Sequence, residues 1–214
     1  MNTILDVSKI EAGLYTIQRD DFCFAAAVNE SVALVREQAK KKNISINERF
    51  LPNIDSVFAD RRAVKQMLIN LLTNAVKYTE NGGFITIDAC FDDGRFTFEI
   101  SDTGIGMTAN ELAQIGKPFS QVDSTLNRTN EGTGLGLSLV KGLVELHNGK
   151  MTIHSMPNIG TRVSVSIPND CVKENVINKT NSKLVTLTTL LPKQINSDET
   201  IQNKEINRNE RKIG

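Results

Sequence analysis

The sequence predicts an α/β domain. Helical apolar periodicities interleave with short strand-like runs, a hairpin signal lies mid-chain, and the composition is that of a globular protein. At 214 residues the chain holds one ordinary domain plus flanking segments. With 39% apolar, 23% charged and 5% aromatic residues it has the means to bury a core.

Taken in order, residues 4–13 read ILDVSKIEAG, a short amphipathic stretch that looks like the end of something longer, with Gly13 suited to a helix C-terminus. Residues 14–24 are extended and partly alternating. Residues 24–43 place Val28, Val32, Val35 and Ala39 at helical spacing, and the run Lys40-Lys41-Lys42 is expected to cap and solvate that helix's end. Residues 44–50 alternate like a strand, and Ser56-Val57-Phe58-Ala59 leads into Asp60, a helix N-cap. Residues 60–78 are the most periodic helix, with Val64, Met67, Leu68, Leu71, Leu72, Ala75 and Val76 on one face. Asn81-Gly82-Gly83 ends it. Strands over 84–91 and 95–100 are joined by Asp92-Asp93-Gly94, a hairpin turn. A helix over 108–115, a polar loop over 120–131, a helix over 135–147 and strands over 150–155 and 161–167 follow, with turns at Asn148-Gly149 and 157–160. Residues 169–214 contain eight Asn and no aromatic residue and read as a poorly ordered tail, whose apolar patch 184–191 is able to add a strand or short helix.

Lys plus Arg equals Asp plus Glu at 25 each, so no net field attracts a polyanion and nucleic acid is disfavoured as a partner. No apolar run approaches the ~18 residues that span a bilayer, and the N-terminus lacks a signal-peptide layout, which predicts a cytoplasmic chain without a membrane segment. Cys23, Cys90 and Cys171 fit neither a disulfide framework nor a metal clip, and His147 and His154 read as structural.

Chemistry concentrates in three places. Asn70, Asn74 and Lys77 share one stripe of the 60–78 helix; amide oxygens ligate Mg²⁺ and a lysine attracts the same phosphates, although a solvated face explains the stripe equally. Asp102-Thr103-Gly104-Ile105-Gly106 follows an apolar strand, and its carboxylate would seat an exocyclic amino group of adenine; a structural turn uses the same residues. Asp-Thr-Gly also resembles the aspartic protease triplet, but Ile105 and Gly106 stand where that family has Ala or Ser. Gly132-Thr133-Gly134-Leu135-Gly136-Leu137 runs into a helix, offering backbone N–H groups to an anion, with ordinary helix packing as the alternative. It lacks the spacing of a Walker A loop or a Rossmann fingerprint.

In this order, with Lys117-Pro118-Phe119 between the glycine segments, these elements resemble the N, G1, F and G2 boxes of the ATP-binding domain of sensor histidine kinases, and EGTGLGLSLVKGLVELHNG is similar to alphaproteobacterial kinases of the PleC or PdhS kind. Residues 1–13 resemble the end of the second dimerisation and phosphoacceptor helix, 14–168 the ATP-binding catalytic domain, and 169–214 a tail outside it. The resemblance implies a two-layer sandwich, a mixed β-sheet with helices on one face (the Bergerat fold), binding ATP and Mg²⁺. It implies that Asp102 accepts from the adenine amino group and Asn74 ligates Mg²⁺. Asn70 would orient metal and phosphates, and Lys77 would stand near the phosphates. Gly104, Gly106, Gly132, Gly134 and Gly136 would admit backbone to the nucleotide or hinge a lid, with Thr133 and Leu135 in the same box. Tyr78 would form a pocket wall, Phe119 a lid anchor and Arg128 a phosphate contact.

Hydrolytic relatives, such as gyrase, carry a glutamate where Asn70 stands; an amide does not accept water's proton, which favours phosphoryl transfer over hydrolysis. The family's acceptor histidine lies upstream of ILDVSKIEAG, so this sequence is expected to act only in trans, on a separate histidine-containing domain, with a response regulator as a further partner. The alternative is a non-catalytic module or remnant that holds nucleotide or a kinase partner.

Overall fold

The computed structural model describes residues 3–50, 54, 56–115 and 134–169. All of them belong to one compact unit, Met1–Glu174. The proposed loop over 120–131 and the tail beyond 169 lie outside the described residues, as does the second unit, Asn175–Gly214.

The elements are α1 (Thr3–Glu11), β1 (Asp20–Phe22), α2 (Phe24–Lys41), β2 (Ser45–Phe50), β3 (Val57–Ala59), α3 (Arg61–Tyr78), β4 (Phe84–Asp92), β5 (Arg95–Asp102), α4 (Ala109–Gln114), α5 (Gly136–Leu146), β6 (Lys150–Met156) and β7 (Gly160–Pro168). Five strands form one sheet in the order β2-β4-β5-β7-β6. The β2–β4 pair is parallel, with Ile46 opposite Ile85, and the remaining pairs are antiparallel. β1 and β3 pair separately. This is the mixed sheet that the resemblance implies.

Period-two alternation decides which face of the sheet is covered. Ile85, Ile87 and Ala89 of β4, Phe96, Phe98 and Ile100 of β5, and Val163, Val165 and Ile167 of β7 are buried on one side. Helices α2, α3 and α5 supply the facing layer, α3 packing between the other two. Phe24 is completely buried where the layers meet, with ring centroids 4.8 Å from Phe96 and 5.7 Å from Phe98. Each such side chain contributes about 1.5–3 kcal/mol of burial. The other face carries cross-strand polar pairs, such as Arg162 with Glu99 at 3.1 Å and Arg49 with Asp88 at 3.3 Å. One face is apolar and one polar, so the domain stops at two layers.

Helix ends explain how the layers lock. Asp60 is the N-cap of α3, its Oδ1 accepting from Arg62 N–H at 2.9 Å and Ala63 N–H at 3.2 Å. Its Oδ2 accepts from Gln18 N–H at 3.0 Å, and its own N–H donates to Nε2 of His147 at 3.2 Å. Burial works to raise the Asp60 pKa, but the donors from Gln18, Ala63 and Arg62 outweigh it and hold the carboxyl below its ordinary range. His147 is a buried structural residue, with Nδ1–H donating to the Leu143 carbonyl at 2.7 Å. Helices α2 and α5 end on Asn43 (φ 51) and Asn148 (φ 56), left-handed residues that close Schellman turns. α1 rests on α5, with Val7 buried and Ile10 over Gly142.

One expectation needs correction. Lys40 and Lys41 are exposed at the end of α2, but the Lys42 ammonium does not cap its own helix; it donates to the carbonyl oxygens of Val76, Lys77 and Thr79 at the end of α3. A flexible four-carbon stem reaches a neighbouring helix whose terminal carbonyls are otherwise short of donors.

Candidate functional site

Helix α3 turns Asn70 and Asn74, both half-buried, toward α5. The Asn70 Nδ2 donates to the Gln66 carbonyl at 2.8 Å. A carbonyl only accepts, so this bond fixes the amide's orientation and leaves Oδ1 as the outward atom. Gly136 stands over it: a Cβ at 136 would lie 3.1 Å from Asn70 Oδ1 and 3.9 Å from Asn74 Nδ2. A side chain there would press on the Asn70 amide and touch that of Asn74, so glycine suits this close approach. The N-cap of α5 is Leu135, whose own side chain makes no capping hydrogen bond. A helix N-terminus directs its first backbone N–H groups outward, as an anion requires. Leu135 itself points into the core at 1% exposure, leaving only its backbone to face a ligand. Gly134 precedes it with φ +67.

The last turn of α3 meets the Asp102 segment. The Tyr78 carbonyl accepts from Ile105 N–H at 3.2 Å, and a Cβ on Gly104 would collide with that same carbonyl. Lys77 Nζ lies 5.0 Å from the Tyr78 ring centroid, a cation–π pairing at a half-exposed position. Asp102 is the final residue of β5, two residues beyond the strand end expected from sequence. Its Oδ1 accepts from Gly104 N–H at 2.9 Å and Thr161 N–H at 3.2 Å. Among the described residues nothing donates to Oδ2. Burial pushes the Asp102 pKa up, and the two N–H donors only partly offset it. The arrangement presents a carboxylate with one oxygen tied down and the other open to an N–H donor from outside.

Two backbone crossings hold this corner. Gly106 takes φ +62 against the Met156 carbonyl, beside the Asn158 N–H that donates to Ile105 O at 2.7 Å. Gly160 lies against the Asp102 carbonyl. Gly160 and Thr161 were legible in the sequence only as part of a turn and strand; their contact with Asp102 arises from β5–β7 pairing, in which Asp102 faces Thr161.

The fold thus brings Asn70, Asn74 and Gly136 together at the middle of α3, and Tyr78, Asp102, Gly104 and Gly106 at its C-terminal end, with Lys77 one residue before Tyr78. Phe119, Arg128, Gly132 and Thr133 lie outside the described residues. Among the described residues no group of three or more His, Cys, Asp or Glu is placed to hold a metal ion.

Comparison with known proteins places the fold in a family. The family model for histidine kinase-, DNA gyrase B- and HSP90-like ATPases matches residues 59–170. An uncharacterized sensor-like histidine kinase of Rhizobium meliloti is 44% identical over 170 residues, covering 79% of this chain and 32% of that protein. Histidine protein kinase DivJ of Caulobacter vibrioides is 40% identical over 168 residues, covering 78% of this chain and 28% of its own length. The chain therefore spans about a third or less of these relatives. Among solved structures, full-length ShkA in complex with AMPPNP superposes with TM-score 0.68 at 26% identity, covering 78% of this chain and 34% of ShkA. The catalytic domain of histidine kinase ThkA gives TM-score 0.62 at 28% identity over 71% of this chain and 96% of its own. The chain belongs to the histidine kinase-, DNA gyrase B- and HSP90-like ATPase family, as an ATP-binding domain of the histidine kinase type.

Proposed function

We propose that this chain transfers the γ-phosphoryl group of ATP to a histidine on a separate acceptor domain, in the cytoplasm, with Mg²⁺ as cofactor. The observation that carries the reading is that α3 meets both glycine segments, Gly136 at the Asn70 amide and Gly104 at the Tyr78 carbonyl. Among the described residues no helix is long and apolar enough to cross a membrane. The relatives are histidine kinases, and the ThkA kinase has been solved with the response regulator TrrA, which supports a regulator as the downstream partner. Within the chain we assign 1–13 to the end of a dimerisation helix, 14–168 to catalysis and 169–214 to a tail.

Asp102 accepts the adenine amino group through Oδ2, while Gly104 and Thr161 hold Oδ1 and so set the direction of the open oxygen. The hard amide oxygens of Asn74 and Asn70 fit Mg²⁺, and the Gln66 carbonyl turns the Asn70 oxygen outward to that end. Bound there, Mg²⁺ would neutralise phosphate charge. Lys77 adds a point charge for the phosphates, and the backbone N–H groups at the N-terminus of α5 add donors. Tyr78 forms a wall; Phe119, Arg128, Gly132 and Thr133 belong to a lid. Because the Asn70 amide does not take up a proton, the site orients phosphates without activating water, which favours transfer over hydrolysis.

The test is to incubate the chain with γ-labelled ATP, Mg²⁺ and a purified acceptor domain carrying its histidine. Acid-labile label on the acceptor, absent when that histidine is replaced, is expected. A chain that binds ATP yet labels no acceptor would refute transfer and leave a nucleotide-holding module.

A further inference from the structure

Every helix end must place its last four carbonyls, and α3 does so without a left-handed terminator, since its C-cap Thr79 is extended (φ −79, ψ 135). Ala75 O accepts from Thr79 N–H at 2.9 Å, and Tyr78 O from Ile105 N–H at 3.2 Å. The other two go to one side chain from another element. Lys42 Nζ donates to Val76 O at 2.9 Å, to Lys77 O at 2.8 Å and also to Thr79 O at 3.0 Å. An ammonium has three donors, and all three are used.

The backbone of Lys42 holds the same place. Its carbonyl accepts from Gly82 N–H at 2.8 Å, just past the helix, and three residues on Ser45 N–H donates to Gly83 O at 3.1 Å. Lys42 is itself fixed as the C-cap of α2, followed by Asn43 at φ 51. Main chain and side chain therefore bracket residues 76–82 from one rigid corner. The bracketed turn carries Lys77 and Tyr78, and through the Tyr78 carbonyl it seats Gly104 and Ile105, next to Asp102.

We infer that Lys42 is a positioning residue for the nucleotide site, holding the C-terminal turn of α3 in register with the Asp102 segment and neutralising the helix's negative end beside a polyanionic ligand. The inference rests on the nucleotide site proposed above. Its cation meets the partial negative charge of the carbonyls at the end of the helix that carries the site. Neither the periodicity of α2 nor the run of lysines singles it out, because its partners lie more than thirty residues away.

The experiment compares nucleotide affinity in the wild-type chain, Lys42→Met, Lys42→Gln, Lys42→Arg and the control Lys41→Met, by calorimetry with a non-hydrolysable ATP analogue and Mg²⁺ at a temperature where each is folded. Lys41 is exposed and, among the described residues, pairs with Glu37 on its own helix. Lys42→Met is expected to bind about tenfold more weakly, Lys42→Arg to recover part of the loss, and Lys41→Met to match wild type. Wild-type affinity in Lys42→Met, even with a lowered melting temperature, would make Lys42 a cap for stability alone and overturn the inference. If Lys42→Met does not fold, Lys42→Gln carries the same test, at least threefold weakening being expected and unchanged affinity being fatal. Failure of the wild-type chain itself to bind would instead overturn the nucleotide-site reading and the inference with it.

Discussion

Replacing Asp102 by Asn reverses one hydrogen bond while sparing the fold. In the native chain Oδ1 accepts from Gly104 N–H at 2.9 Å and Thr161 N–H at 3.2 Å. An asparagine at this position must turn its carbonyl oxygen to those two donors, which sends its NH₂ to the place of Oδ2. On the proposed assignment of Asp102, the adenine amino group would then meet a donor in place of an acceptor. Losing a charged acceptor and leaving a donor facing a donor costs about 1.5–3 kcal/mol, or roughly 10- to 150-fold in affinity. Stability moves the other way. Burial raises the Asp102 pKa above its unfolded value, so the folded state binds the proton more tightly and native stability falls as pH rises through that raised pKa. At neutral pH the charge is a burden on the fold, and Asp102→Asn should melt no lower than wild type. Calorimetric titration with a non-hydrolysable ATP analogue, beside a thermal melt of each protein, reads both effects. Unchanged affinity with an intact melt would refute the assignment of Asp102 to adenine. A large drop in the melt would refute the claim that Oδ1 alone serves the structure.

Three further predictions follow from particular contacts. Asn74→Ala should leave metal-free nucleotide binding near wild type and abolish its enhancement by Mg²⁺; equal losses with and without the ion would show that Asn74 is no ligand. Gly106→Ala places a Cβ on a left-handed residue (φ +62) against the Met156 carbonyl. Adding ~1–2 kcal/mol for the backbone to ~1–3 for overpacking gives an expected loss of about 2–5 kcal/mol in urea denaturation, and a loss of only a few tenths would argue against the crossing. His147, buried with Nε2 accepting from Asp60 N–H, has its pKa lowered chiefly by burial, from an ordinary 6.5. The unfolded chain takes up that proton first, so stability should fall as the pH is lowered through the ordinary 6.5, and His147→Gln should flatten the dependence. A pH profile identical in the variant would place the dependence elsewhere.

Local signals carried much of this architecture. Asp60 reads as an N-cap from its place before an apolar helix, and its Oδ1 does accept from Arg62 and Ala63. The alternation of residues 84–91 and 95–100 marks both strands and their buried faces, because period two is a local property. Partnerships made across the fold were not legible. That β2 joins β4 in parallel depends on a crossover that no short window contains. A run of lysines looks like a solvated end whichever carbonyls one of them reaches, and so the task of Lys42 stayed hidden. The glycines show the limit best. Glycine at 104, 106 and 136 signals close approach, but not to what: Gly136 approaches the Asn70 amide, whereas Gly104 and Gly106 approach protein carbonyls.

The central claim is that the stripe of α3 and the glycine segments around it form a Mg²⁺-dependent ATP site. Calorimetric titration of the wild-type chain with a non-hydrolysable ATP analogue, in the presence and absence of Mg²⁺, tests it most directly. One site per chain, with affinity increased by the ion, is the expected result. A folded chain that binds no nucleotide, or binds it equally well without Mg²⁺, would contradict it.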